Sequence, residues 1–395
     1  MSADYGDLIS DSDSDACEIS SESEPADRYY DGTYYPICIG DVLHTRYRII
    51  HKLGWGGFST VWLARDEQTN EDVALKVLVA GSDGEKEYEV QKWVKESIEE
   101  GKREGLVLYK DAFQVQGMRE EHRVLVMDVV GPNLDMTLLR MLLESHIKVR
   151  MKAARQLLVT LKVLHGCGIV HGDLNEGAVM WKMQYPSPSN TTAIYQHLGR
   201  PQRLQLWDLW KKGEHVRPLD VPSHLLTDQI FLGDFGEAIK DGAEVECKIK
   251  SPAQFCAPER YHGQNPSCAS DMWGYMCILG LLYLDFNPLF GRAGSGMIRE
   301  WTAALGPFPE GWKGRYEGFD EDWEDGWYDQ TRRSDPMIDL KSDIARRSVQ
   351  IDGAEQALVK SVFLKVFRYE SKDRLTASEL LEDPEFNVLM GIYGC

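Results

Sequence analysis

Apolar residues recur in two different rhythms along this chain, and the change between them divides it. Residues 47–53, 59–65 and 72–78 are short runs rich in Val, Ile, Leu and aromatics, punctuated by Gly54-Trp55-Gly56-Gly57 and by the polar stretch 66–71. Runs of this length between glycine and acidic turns predict strands. A charged helical segment is predicted at about 85–99, with further strands at 106–116 and 122–130. After Gly131-Pro132 the spacing becomes helical. Ala154, Leu157, Leu158, Leu161 and Leu164 share one face of a helix that should stop at Gly166 or Gly168. Residues beyond Ser270 also read mainly as helices, and the apolar run 275–284 reads as a buried one. The pattern therefore predicts an α+β protein: a β-rich lobe with one helix at 35–130, then a mainly helical lobe at 131–395.

Two stretches fall outside this scheme. Residues 1–28 alternate Asp, Glu and Ser with few aliphatics, too little apolar surface to offset the entropy of ordering, so 1–34 is expected to be a disordered acidic tail. Residues 182 to about 227 mix Pro, Ser and Asn clusters with aromatics and are expected to be a surface insertion in the second lobe.

The chain has 395 residues, too many for one typical hydrophobic core, and its 63 Asp+Glu against 44 Lys+Arg give a net charge of −19. Phosphate backbones are held mainly by Lys and Arg, so a direct nucleic-acid partner is disfavoured, as is an anionic membrane surface. A basic partner is compatible. Nine of the acids lie in the first 28 residues, offset there only by Arg28, which leaves −11 on the remainder. The apolar run 275–284 is about half of the ~20 residues a membrane span needs. The start MSADYGDLIS lacks the basic-then-apolar form of a secretory signal. Eight scattered cysteines without a CxxC pair argue for reduced thiols, hence for the cytoplasm or nucleus, and against a disulfide frame or zinc site.

Four blocks carry chemistry. The first is Leu53-Gly54-Trp55-Gly56-Gly57-Phe58-Ser59-Thr60-Val61, followed by Val73-Ala74-Leu75-Lys76. Glycines between strands let backbone N–H groups approach phosphates, and the following strand brings a lysine beneath them. Lys76 needs an acidic partner on the next helix. Glu85, Glu87 and Glu89 are candidates, and Glu89 is preferred for the surrounding Glu89-Val90-Gln91-Lys92-Trp93. The second block, His171-Gly172-Asp173-Leu174-Asn175-Glu176-Gly177-Ala178, follows the amphipathic helix. There Asp173 would accept or orient the proton of an attacking hydroxyl, with His171 structural. The third is Asp234-Phe235-Gly236, where Asp234 would hold Mg²⁺. The fourth is Ala257-Pro258-Glu259, with Arg374 as the expected buried partner of Glu259. A lone G-x-G or D-F-G is weak evidence, but four blocks in this order over about 320 residues are not.

In this order the blocks resemble the eukaryotic protein kinases, and among them the SR-protein kinases, specifically their fungal relatives. The resemblance starts at Tyr35-Pro36-Ile37-Cys38-Ile39-Gly40-Asp41 and runs through Leu53-Gly54-Trp55-Gly56-Gly57-Phe58-Ser59-Thr60-Val61-Trp62-Leu63, with Ser59 in place of a third glycine. It covers the spacer at 182–227, Leu305-Gly306-Pro307-Phe308-Pro309-Glu310, and Phe367-Arg368-Tyr369-Glu370. It implies a bilobal kinase fold and an ATP- and Mg²⁺-dependent serine/threonine kinase acting as a monomer on Arg/Ser-rich splicing factors. It also implies an adenine pocket with Val61 and Ala74 about the ring, Met127 behind it, and Asp128 to Val130 as hinge. The acidic stretch Asp320-Glu321-Asp322-Trp323-Glu324-Asp325 is a candidate for holding basic substrates, or a solvated loop.

The sequence departs from the pattern where it matters. Ala178 stands where an asparagine would hold a second Mg²⁺, and Asn175 where a lysine is usual; Asn175 or Glu176 is a candidate substitute metal ligand. Losing one preorganised contact of this kind costs on the order of 10²–10³ in rate. A pseudokinase that binds nucleotide or partners without efficient transfer is therefore the alternative to an active enzyme. A third reading, a small-molecule kinase, fits the Ala257-Pro258-Glu259 segment and Arg374 less well. Gly172 replaces the arginine that pairs with phosphorylated activation loops in many kinases. Ser251 is the only hydroxyl residue between Asp234 and Glu259, so control independent of loop phosphorylation is expected.

Overall fold

The computed structural model describes residues 4–10, 14–134, 147–184, 191–289, 296–317, 325–336, 339–347 and 351–395. In chain order the elements of its first part are β1 (Asp7–Ile9), α1 (Ser14–Glu22), α2 (Asp27–Tyr30), β2 (Val42–Leu43), β3 (Tyr47–Gly56), β4 (Ser59–Asp66) and β5 (Glu71–Leu78). Then come α3 (Ser82–Ser97), β6 (Asp111–Gln116), β7 (Glu121–Met127), α4 (Ile147–Gly166), β8 (Ile169–Val170) and β9 (Val179–Met183). Next are α5 (Thr191–Leu198), β10 (Gln202–Leu206), β11 (Gly213–Val216), β12 (Leu226–Leu232) and β13 (Ile239–Lys240). Six helices close the chain: α6 (Cys268–Leu284), α7 (Met297–Leu305), α8 (Leu340–Arg347), α9 (Gly353–Leu364), α10 (Ala377–Glu382) and α11 (Pro384–Ile392).

Two compact units result. One comprises Met1–Lys95, Val107–Pro132 and Trp181–Thr227, the other Glu96–Leu106, Asn133–Met180 and Asp228–Cys395. The first is built on an antiparallel sheet of order β2-β3-β4-β5-β7-β6. Side chains alternate across a pleated strand, so each strand serves two faces. Trp62, Ala64, Leu75, Val77, Val124 and Val126 fill one face and pack on Tyr35, Ile37, Ile39 and Val216. The register pairs Val61 with Lys76, Leu63 with Ala74, Lys76 with Leu125 and Ala74 with Met127. These residues share the opposite face, which carries the lysine.

The expectation of a disordered tail at 1–34 is corrected for the described residues. Strand β1 runs parallel to β10, which pairs with β11. Ala16 and Ile19 of α1 pack on Leu204, while Tyr29 and Tyr34 pack with Val79 and Leu206. Four of the described acidic side chains are held by basic partners. Asp4 and Asp7 pair with Arg200, Glu22 pairs with Arg217, and Glu24 pairs with the fully buried Lys52. Tyr29 donates its hydroxyl to the other oxygen of Glu24, and the Lys52 ammonium lies 5.4 Å from the Trp62 ring centroid. Burial pushes the Lys52 pKa down against the pull of Glu24. Composition failed here because it counts charges without seeing their partners, which lie from 28 residues (Lys52 to Glu24) to 196 residues (Arg200 to Asp4) along the chain.

The insertion is corrected too. Described residues from 181 to 227 belong to the first unit, not to the helical one, with Ile194, Tyr195, Leu198 and Val216 buried there. The first unit consequently carries α1, α2 and α5 besides α3, not a single helix.

The second unit is mainly helical. Ala154, Leu157, Leu158, Leu161 and Leu164 of α4 are all inaccessible, as their spacing predicts, and α4 ends at Gly166 with Gly168 left-handed at φ 70°. Helix α6 is buried from Ser270 to Leu284, and a Ser267–Ser270 capping box starts it. Among the described residues no helix is long and apolar enough to cross a membrane. Arg374 donates to both oxygens of Glu259, at 2.7 and 2.5 Å, and to the carbonyls of Ala269, Arg368 and Tyr369. All five guanidinium donors are used, the condition under which a buried ion pair is tolerated.

Removing one member of a buried pair strands its partner. Glu24→Ala should therefore destabilise the first unit by ~3–5 kcal/mol, and Lys52→Met added to it should recover most of that loss. Denaturant unfolding of the two variants beside wild type checks it; a double variant no better than the single one would contradict it.

Candidate active site

Half of the candidate machinery lies in the first unit. Strands β3 and β4 form a hairpin whose register pairs Gly54 with Val61, Trp55 with Thr60, and Gly56 with Ser59, leaving Gly57 and Phe58 at the tip. None of Gly54, Gly56 and Gly57 has a positive φ, and a Cβ on any of them would meet no protein atom within 4 Å. Neither backbone strain nor internal packing requires glycine here. The space is open, as an approaching phosphate would need.

Lys76 of β5 forms its ion pair with Glu87 of α3, Nζ to Oε1 at 2.5 Å, and Gln91 donates to the same oxygen at 3.2 Å. The preference for Glu89 is thus corrected: Glu89 is exposed, and Glu85 is bound to Arg123 at 2.8 and 3.0 Å. Glu85 and Glu89 are four apart and share a helix side, whereas Glu87 lies about 200° round from either. Three glutamates at alternating positions made the choice unreadable without knowing which side faces β5. Ala74, Met127 and Val61 occupy the lysine-bearing face of the sheet. Asp128 is exposed beside Lys110, Val130 is half-buried, and Leu53 packs on the α5 cluster.

The other half lies in the second unit. Strands β8 and β13 pair and set the ends of two loops, one carrying His171 to Asn175, the other Asp234 to Glu237. His171 is fully buried. Its Nε2 is 2.9 Å from the carbonyl oxygen of Gly233, which can only accept, so the proton sits on Nε2. Nδ1 is left to accept the Asp173 N–H at 3.4 Å. The same imidazole packs 5.2 Å from the buried Phe235 ring. Asp234 itself is left-handed, at φ 58° and ψ 57°.

Gly172 is required by geometry. Its φ is 78°, and a Cβ there would stand 2.5 Å from the Glu237 carbonyl oxygen. The buried carboxylate of Asp271 accepts the N–H groups of His171 at 2.7 Å and Gly172 at 3.0 Å, and His165 Nε2 lies 3.0 Å from it. On its other side, the Gly172 carbonyl accepts from Arg260 at 2.9 Å and from the Ser251 hydroxyl at 3.1 Å. Arg260 also donates to Ser251 Oγ at 2.8 Å and to the Lys248 carbonyl at 2.6 Å. Sequence reasoning missed Arg260: it follows Glu259 directly and carried no spacing signal of its own.

Asn175 is locked to Asp173. Its amide donates to the Asp173 carbonyl and to its Oδ1, both at 3.0 Å, while its own oxygen accepts the Gly177 N–H at 2.8 Å. Glu176 accepts from Gln254 at 3.2 Å. Ala178 is buried, and its carbonyl takes the Gly233 N–H at 2.9 Å. Burial raises the Asp173 pKa above the ordinary carboxylate value and the Asp234 charge adds to the rise, against lowering by His171, Asn175 and Ser251. Of the acidic stretch from Asp320, only Asp325 is among the described residues.

The protein kinase domain model matches residues 47–386. The chain belongs to the protein kinase family. Its relatives include a serine/threonine-protein kinase SRPK of Physarum polycephalum, 25% identical over 92% of this chain and 91% of the relative. A serine/threonine protein kinase of Aspergillus fumigatus is 26% identical over 93% and 91%. SRSF protein kinase 3 of mouse is 37% identical over 39% of this chain and 28% of its own length. The chain is a protein serine/threonine kinase similar to SRPK-type enzymes. Kinases of this family use ATP and Mg²⁺ in general.

Glu87→Gln should lower kcat/KM by on the order of 10², because it removes the charge that holds Lys76. Glu89→Gln should stay within about twofold of wild type, as for an exposed substitution. Steady-state kinetics on the two variants separates the assignments; equal losses would restore Glu89.

Proposed function

We propose that this kinase transfers the ATP γ-phosphate to serines in basic, Arg/Ser-rich protein segments, with Asp173 as the residue that orients and accepts the proton of the attacking hydroxyl. The observation that carries the reading is the Asp173 carboxylate itself. Its amide is held by His171, one oxygen is held by Asn175, and it is partly desolvated next to a second carboxylate. Such a group is kept in one orientation, with a pKa moved toward the working range of a proton acceptor.

The remaining roles follow from each unit's own geometry. The open glycine hairpin of the first unit suits phosphates, and Lys76, held by Glu87, suits the α- and β-phosphate oxygens. In the second unit Asp234 is the residue suited to Mg²⁺, which when bound neutralises charge on the phosphates. Ala178 offers no oxygen from its side chain, so the usual second-metal ligand is missing. The Asn175 oxygen already closes the turn onto Gly177, which argues against its serving as substitute.

The substrate assignment rests on the SRPK-type relatives and on the residual charge of −11 outside the first 28 residues, which would draw Arg-rich segments. No lysine accompanies Asp173, and the expected enzyme is accordingly slow.

A γ-labelled ATP assay on an Arg/Ser peptide tests the proposal. Wild type should exceed Asp173→Ala by on the order of 10²–10⁴, and Ala178→Asn should raise the rate if the second metal is what the loop lacks. Equal background signal from wild type and Asp173→Ala would leave a nucleotide-binding scaffold instead.

The pH profile carries its own expectation. A carboxylate whose pKa is raised by burial stays protonated to higher pH, and the protonated form accepts no proton. Log kcat/KM should thus fall on the acid side at a pH above that of an ordinary aspartate. A profile flat down to the ordinary carboxylate range would contradict this role for Asp173.

A further inference from the structure

The segment before the kinase domain touches the phosphate-binding hairpin at three points. Tyr34 donates its hydroxyl to the Gly56 carbonyl at 2.7 Å, and Arg28 donates to the Gly57 carbonyl at 2.7 Å. Trp55 of the hairpin donates its indole N–H to the Glu22 carbonyl at 2.9 Å. The two donors support one another, since Arg28 also donates to the Tyr34 oxygen at 3.0 Å and stacks 4.9 Å over its ring. A fourth bond, from the Val79 N–H to the Phe58 carbonyl at 3.0 Å, comes from the end of β5.

We propose that residues 22–34 are a brace that sets the phosphate-binding hairpin in its nucleotide-ready form, with Arg28 and Tyr34 as positioning residues. The argument is one of peptide geometry. In a planar trans peptide the C=O and the following N–H point in opposite directions. Holding the Gly56 and Gly57 oxygens against Tyr34 and Arg28 therefore turns the Gly57 and Phe58 N–H groups the other way. Without these contacts the Gly56–Gly57 and Gly57–Phe58 peptides would be held only by the hairpin pairing and by the Val79 bond to Phe58, and glycine backbones sample many orientations. The brace selects one before nucleotide arrives, so less ordering cost falls on binding.

The brace is itself anchored. Between Glu22 and Arg28 lie Glu24, bonded to Lys52 and Tyr29, and Lys52 sits in β3 only two residues before Gly54. The segment and the strand that enters the hairpin are thus joined at one buried point. Tyr34 is buried as well and packs 5.6 Å from the Tyr29 ring. The contacts are made by a folded segment, not by a passing tail.

The inference rests on the reading of this hairpin as the nucleotide phosphate site, and the experiment separates the two. Amide hydrogen exchange of residues 54–59 in the full chain without nucleotide reports on the brace alone. Tyr34→Phe, which keeps the ring, and Arg28→Ala should each speed exchange there by about fivefold, the loss of roughly one hydrogen bond. The ATP KM should rise by a similar factor while the KM for a peptide substrate stays unchanged, and Arg28→Lys should recover part of the loss. Unchanged loop exchange and ATP KM in both variants, with or without a lower melting temperature, would overturn the brace. Were wild type to bind no MgATP, the nucleotide reading of the hairpin would fail and the positioning role with it. Faster exchange in the variants would then record only a structural contact.

Discussion

The carboxylate of Asp271 is the fixed point on which the catalytic loop depends. It sits in the first turn of α6, buried, where the helix N-terminus favours negative charge. It takes the amides of His171 and Gly172, two successive groups that would otherwise be orphaned in the interior. Everything downstream inherits that orientation. Gly172 is turned left-handed and can carry no side chain, its carbonyl faces Arg260 and Ser251, and His171 is delivered to both Gly233 and Asp173. In many kinases an arginine in place of Gly172 would tie the loop to a phosphorylated activation segment. Here the Gly172 carbonyl is bonded by Arg260, which also holds Ser251 and the Lys248 carbonyl of the segment that follows Asp234.

The first unit has a corresponding fixed point in the buried pair of Glu24 and Lys52. Two charges taken from water are tolerable only when they find each other and further donors. Tyr29 and the Trp62 ring supply the rest. This changes the meaning of the acidic N-terminus. Asp4, Asp7, Glu22 and Glu24 all meet basic groups of the same unit, and two of these, Arg200 and Arg217, lie on the inserted segment that a sequence reader would leave on the surface. The N-terminal segment adds β1 to the β10–β11 pair of the insertion, and the two together make one three-stranded sheet.

What the sequence made legible follows from where the information is stored. Lys76, Asp173, Asp234 and the Glu259–Arg374 pair are encoded by residue type at fixed spacing; the structure shows Arg374 bound to Glu259 and Lys76 bound to a glutamate of α3. The buried face of α4 was equally plain, since a 3.6-residue period needs no distant partner. Glu87 was not, because two neighbouring glutamates on the same helix satisfy every local criterion, and only the strand beside it chooses. The N-terminal segment was misread for a related reason: its partners Lys52, Arg200 and Arg217 are far along the chain, and composition treats their carboxylates as unpaired charge. Gly172 and Arg260 form an intermediate case. The absence of the usual arginine was visible, whereas the bond from Arg260 to the Gly172 carbonyl was not.

The altered catalytic loop is better understood as an electrostatic loss than as a geometric one. Asn175 keeps a positioning function, because its amide holds the Asp173 carboxylate and its oxygen closes the turn that follows. It brings no charge to the oxygens of a transferring phosphoryl group, and preorganised charge there is the larger part of catalysis in this chemistry. Ala178 likewise keeps the backbone bond that ties the loop to Gly233 while offering no metal ligand. A collapsed site would have lost its geometry along with its charges. Here Asp173 keeps its backbone partner His171 and its amide partner Asn175, so the substitutions subtract charge and a metal ligand from a loop whose hydrogen bonds are retained.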